Sequence, residues 1–196
     1  MFIGYIFVCL TFNGSATPAY ASDPSPVPSY GKGAWELIIF TDYFCPPCQA
    51  VEKDLEPEIE RLLSRGDVKI TFADFPGHKQ TALFAKYFLS AAAADKGPAN
   101  ALKARKVLFS VAQEKNVNQE NVLAARLKAS GVFLKLTDPK PAYKEWTAMI
   151  KRHDVTQTPT CLLRFSSTYT KKYSDGEQII TGLIPELRRR FPAERK

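Results

Sequence analysis

No stretch of the 196 residues is long and apolar enough to cross a membrane comfortably. The best candidate, Phe2 to Phe12, is interrupted by Gly4 and Thr11 and is too short. No internal repeat is visible, and no nucleic-acid-binding motif accompanies the net charge of +7. That charge is therefore read as a solvated basic surface: Lys and Arg are scattered, and the densest run is Arg188-Arg189-Arg190. Histidine is scarce, with only His78 and His153. Zinc bound by Cys45 and Cys48 would need two further ligands, and Cys161, His78 and His153 fit no usual finger spacing.

Cysteine is also sparse, and its arithmetic is informative. Cys9 lies in the leading apolar run, which is followed by small and polar residues and by Ala19-Tyr-Ala21, an A-x-A cleavage pattern. Residues 1–21 are expected to be a signal peptide, although no Lys or Arg precedes the apolar run. Its removal leaves Cys45, Cys48 and Cys161. An odd number does not close a structural disulfide framework, whereas one close pair and one remote cysteine suit a redox site. The expected compartment is the periplasm or another extracytoplasmic space.

The remaining composition, 45% hydrophobic and 24% charged, is that of one globular domain with a sizeable core. Residues 22–33, rich in Pro and Ser, read as a flexible segment leading into a domain at 34–196. Within it, Trp35–Thr41 is a short run of β-formers and predicts a buried strand. Gln49–Ser64 has Val51, Leu55, Ile59 and Leu62 on one side and predicts a helix, kinked at Pro57 and capped by Gly66. Val68–Ala73 alternates and predicts a parallel partner strand, completing a βαβ unit. Residues 79–153 hold no strand pattern. Helices are predicted over 80–95, 99–115, 119–130 and 141–152, separated at Gly97-Pro98, Asn116 to Asn118, Gly131 and Asp138-Pro139. Thr160–Phe165 returns to strand character. Tyr169–Tyr173 and Gln178–Thr181 flank Asp175-Gly176, read as a hairpin turn, and a last helix is expected over Pro185–Phe191. The fold class is thus α/β: a thioredoxin-like fold with a helical insertion at about 79–153 between its βαβ and ββα halves.

Cys45-Pro46-Pro47-Cys48 stands where a strand hands over to a helix. The unpaired N–H groups and partial positive charge of a helix N-terminus favour a thiolate. One helical turn brings the two sulfurs together. Cys45 is expected to be exposed and to attack or be attacked; Cys48, one turn in, is expected to be covered and to resolve the mixed disulfide. Cys161 reads as a small buried core residue, His78 as a helix-entry or fold-supporting residue, and His153 as a surface histidine near a helix end. From the residues alone, a metal-handling module using Cys45, Cys48 and Cys161 for copper or zinc stays open, since soft thiolates suit Cu(I).

Four segments carry a resemblance: Phe40-Thr-Asp-Tyr-Phe-Cys-Pro-Pro-Cys48, Leu55-Glu-Pro57, Asp74-Phe-Pro-Gly-His78 and Val155-Thr-Gln-Thr-Pro-Thr160. The chain resembles the DsbA-like thiol–disulfide oxidoreductases of the thioredoxin superfamily, over about 34–192. The resemblance implies Cys45 as nucleophile, Cys48 as resolving thiol, and a cis bond at Thr158-Pro159 whose loop lies against the pair and grips extended substrates by backbone hydrogen bonds. It implies disulfide exchange with exported, cysteine-bearing protein substrates, most simply as a dithiol oxidase working as a monomer. Reoxidation would come from a membrane redox partner. No cofactor, metal or nucleic acid is implied. A reductase or isomerase is the alternative direction. The sequence departs from the family in three places. Ile39 stands six residues before Cys45, where many relatives carry a buried acid; Pro-Pro replaces a His-bearing dipeptide; and Cys161 takes a position usually apolar or aromatic.

Overall fold

Residues Trp35–Thr41 (β2) and Val68–Asp74 (β3) lie side by side and parallel at the centre of a five-stranded sheet. The computed structural model describes residues 25–114 and 119–192. The expected signal segment with Cys9, and the breaker at Asn116 to Asn118, lie outside them. Both faces of β2 are covered, which is why Leu37–Phe40 is continuously apolar rather than alternating. Leu37 and Ile39 face one core with the long helix α1, Pro46–Arg65; Ile38 and Phe40 face a second, with Trp146 and Met149 of α5, Lys140–Arg152. Gly66 ends α1 at φ 73, the left-handed conformation a glycine cap supplies at least cost. Pro57 sits inside this helix without ending it.

Among its described residues the insertion holds helices and loops and no strand, as expected: α2 (Thr81–Ala94), α3 (Pro98–Val111), α4 (Glu120–Ala129) and α5. The chain then returns through β4 (Thr160–Arg164), antiparallel to β2, and β5 (Thr170–Tyr173), antiparallel to β4. The strand order is β1-β3-β2-β4-β5, where β1 is Ser29–Tyr30.

Two expectations are corrected. The lead-in is not featureless from residue 25 onward. Ser29–Tyr30 pair antiparallel with β3, the Ser29 and Thr71 hydroxyls meet at 2.9 Å, Phe72 N–H donates to Pro28 O, and Val27 and Tyr30 are buried. Prolines hold the preceding residues extended, and an extended chain can cover the open edge of β3. Gly31, at φ 85, follows at once; a Cβ there would lie 2.3 Å from Val68 O, so only glycine lets the backbone pass.

The second correction concerns Asp175-Gly176, which is no hairpin turn. Asp175 Oδ1 accepts Gln178 N–H at 2.8 Å and caps a helical run: α6 (Gly176–Gln178), a π-helical turn (Ile179–Leu183) and α7 (Ile184–Arg190). The same aspartate that signals a turn also serves as a helix N-cap, and the core rewards the helix by burying Ile179 and Leu183 together. The hairpin is instead closed between β4 and β5, where Phe165 N–H donates to Tyr169 O and Ser166 Oγ accepts from Tyr169 N–H.

Candidate active site

The segment leaving β2 is tied down before it reaches the cysteines. Asp42 is wholly buried; its Oδ1 accepts Phe44 N–H, and its Oδ2 accepts the Thr81 hydroxyl and lies 2.9 Å from His78 Nδ1. Gly77 is required here, since a Cβ would come within 2.8 Å of Asp42 Oδ2. One aspartate thus knits the cysteine loop to the start of α2. Cys45 N–H donates to Asp42 O, closing the turn that delivers Cys45 to the N-cap of α1. Pro46 and Pro47 occupy the first turn, where a missing N–H costs nothing, and both point to solvent. Gln49 Nε2 donates to Tyr43 O and braces the turn from below.

Cys45 and Cys48 both stand at this helix start, and neither is bridged. Cys48 is 2% exposed, as expected of the inner thiol; burial pushes its pKa up to about 12, with the neighbouring Cys45 also raising it. The expected exposure of Cys45 is corrected: it is only 8% exposed. The cover is the loop before β4. Thr158–Pro159 is a cis peptide, Pro159 is buried, and the Cys45 thiol donates to Thr158 O at 3.3 Å. Residues separated by more than a hundred positions in sequence are thereby joined, as the resemblance implies. Thr160 Oγ donates to Gln157 O and shapes the loop from within.

Cys161, two residues on, is fully buried opposite Ile39 and Tyr173, in the same core as Cys48. Burial raises its pKa, and Arg105 works against that rise. His78 is half-exposed on Asp42, and His153 caps the end of α5, where burial holds its pKa below the usual range. Among the described residues, no three His, Cys, Asp or Glu side chains are gathered as metal ligands.

The sequence reading missed a buried charge cluster. Glu52, one turn beyond Cys48 on α1, accepts two hydrogen bonds from Arg105 of α3, Nε to Oε1 at 2.6 Å and Nη2 to Oε2 at 2.7 Å. The guanidinium lies over the Phe72 and Phe109 rings, at 5.1 and 4.9 Å. Nearby, Tyr43 OH donates to Asp74 Oδ2, and burial lifts Asp74 to about 7. A signal did exist: Arg105 interrupts the Ala101, Ala104, Leu108 stripe of α3, and a charge on an apolar face implies a buried partner.

With the geometry in hand, the comparisons agree. A family model described as Thioredoxin matches residues 32–174, and the chain belongs to the thioredoxin family. Its fold is that of the DsbA-like and ScsC-like members. A periplasmic thioredoxin-like protein from Salmonella enterica serovar Typhimurium superposes with a TM-score of 0.60 at 17% identity, covering 85% of this chain and 92% of the other. BdbD from Bacillus subtilis gives 0.60 at 19% identity, covering 84% and 94%. The alpha-DsbA1 of Wolbachia pipientis gives 0.63 at 16% identity, covering 84% and 91%. No curated protein matches the sequence.

Proposed function

We propose that this protein is an exported thiol–disulfide oxidoreductase that oxidises dithiols in cysteine-bearing proteins through Cys45 and Cys48. The observation that carries the reading is the Cys45 thiol at the N-terminus of α1, bonded to Thr158 O beside the cis Pro159. A nucleophile next to an extended backbone segment suits a substrate that is itself an extended chain.

The steps balance without a cofactor. A substrate thiolate attacks Cys45 Sγ of the Cys45–Cys48 disulfide, and the Cys48 sulfur leaves and takes up a proton. The substrate's second thiolate then attacks its own sulfur in the mixed disulfide, and Cys45 leaves reduced. A membrane redox partner accepts the two electrons. Burial raises the pKa of Cys48, so its sulfur takes up a proton once released. The same thiol must ionise again whenever it resolves a mixed disulfide, including the one formed on Cys45 when the pair is reoxidised. Ile39 offers no carboxylate to assist, and it packs as a buried apolar residue.

The test is stoichiometric oxidation of a dithiol peptide by the oxidised protein, together with its reduction potential in glutathione buffers. Peptide disulfide should form at one equivalent per protein and vanish with Cys45→Ser. Failure to exchange with glutathione, combined with tight Cu(I) binding by the reduced protein, would sink the proposal in favour of a metal-handling role.

A further inference from the structure

The loop joining α4 to α5, residues 131–139, is a rigid tip with two large apolar side chains turned outward. Gly131 turns at φ 71, and Val132 and Leu134 point inward: Val132 is buried and Leu134 packs against the core. The side chains between and after them face the other way. Phe133 is 73% and Leu136 76% exposed. This exposure is enforced. The Asn100 amide clamps Phe133 from both sides, accepting its N–H and donating to its carbonyl, each at 2.9 Å. Lys135 N–H donates to Ser90 O. Three hydrogen bonds to α2 and α3 thus hold outside the protein two residues that ordinarily go inside.

The loop and the segments that hold it are rich in lysine. Lys135 lies between Phe133 and Leu136 in sequence. Lys128 precedes the turn, and its carbonyl accepts Gly131 N–H; Lys103 Nζ reaches Gly131 O at 3.4 Å; Lys140 opens α5. Lys96 shares a surface groove with Thr137 and Asp138. All five lysines are exposed, against Asp95 and Asp138 of opposite sign.

We propose that this tip is a docking surface for an anionic lipid membrane. Phe133 and Leu136 enter the boundary between headgroups and acyl chains, and the lysine ammoniums remain at the phosphates, their stems lying along the apolar layer. The charge selects an anionic partner. Isolated protruding side chains select a fluid one that closes around them, over a rigid protein surface that would need a matching socket for each. The tip also leaves the thiol site free. α2 starts at Thr81, bonded to Asp42 beneath the cysteine loop, and the 131–139 loop is fastened nine residues further along it, about 14 Å away.

The test is co-flotation of the full chain with vesicles of phosphatidylglycerol and phosphatidylcholine in equal parts, with pure phosphatidylcholine as comparison. The wild type should float with the anionic vesicles only, and high salt should release it. Phe133→Ser with Leu136→Ser should lower the bound fraction at least about tenfold. Lys128→Glu with Lys135→Glu should do the same at low salt. Glutathione exchange should be unchanged in both variants, which certifies their folding. The proposal fails if the wild type does not float, or if the Phe133/Leu136 variant floats as well as the wild type. It also fails if that variant only converts a dimer to a monomer, because the patch is then an interface between two copies of this chain.

Discussion

Arg105 and Glu52 form a buried, doubly hydrogen-bonded ion pair directly below the cysteine turn, with Glu52 one helical turn past Cys48. Neither charge has water to retreat to, so each is tolerable only because of the other. Burial works against the Arg105 charge, and Glu52 more than restores it. Removing one partner should therefore be far worse than removing both. Arg105→Met or Glu52→Gln alone should lower the unfolding free energy by about 3–5 kcal/mol, and the double change Glu52→Leu/Arg105→Met by clearly less. Urea denaturation of the reduced proteins measures this. Equal losses for single and double variants would mean the pair carries no mutual compensation.

Alkylation at neutral pH should fall on Cys45 and spare Cys48. The inner thiol is 2% exposed and lifted to about 12 by burial, so its labelling should appear only as the pH becomes strongly alkaline. Peptide mapping of the adducts after a short exposure to iodoacetamide decides the matter. Preferential labelling of Cys48 would reverse the two roles.

Asp74 gives a pH dependence with a definite sign. Burial raises its pKa from 3.8 to about 7, with Arg105 and the Tyr43 hydrogen bond opposing the rise. Between those values the unfolded chain has released the proton that the folded one keeps. Stability should therefore fall as pH rises from about 4 to about 7, then level off. The contribution is at most on the order of a few kcal/mol. Asp74→Asn keeps an acceptor for Tyr43 OH and removes the titration. Its unfolding free energy should exceed that of the wild type at pH 8 and lose that advantage at pH 4. An identical pH profile for the two proteins would contradict the assignment.

Pro47 is exposed in the first turn of α1 and offers neither a charge nor a donor to the Cys45 sulfur. Pro47→His places both within a turn of it. This should favour the reduced form and raise the reduction potential by about 6–20 mV, the equivalent of a helix-end charge effect of about 0.3–1 kcal/mol. Equilibration with glutathione buffers reads the shift directly. An unchanged potential would mean that groups outside the dipeptide govern the reduced state.

The features legible in the sequence were those that neighbouring residues decide. The strand–Cys-Pro-Pro-Cys–helix junction, the βαβ unit, the four helices of the insertion and the Gly66 cap each depend on periodicity, proline or glycine within one element. The pairing of Cys45 with the Thr158–Pro159 loop was legible only through resemblance, because no local rule links positions so far apart. What tertiary structure alone decided were the cases in which a local signal has two readings. Asp175 can open a turn or cap a helix, and burial of Ile179 and Leu183 selects the helix. The Pro-rich lead-in can wander or pair, and the open edge of β3 captures Ser29–Tyr30. Cys45 at a helix start can be open or covered, and the loop returning from the insertion covers it. Glu52 and Arg105, each a misfit on its own apolar helix face, make sense only once α1 and α3 pack together, because a buried charge is stabilised by a partner that sequence distance conceals.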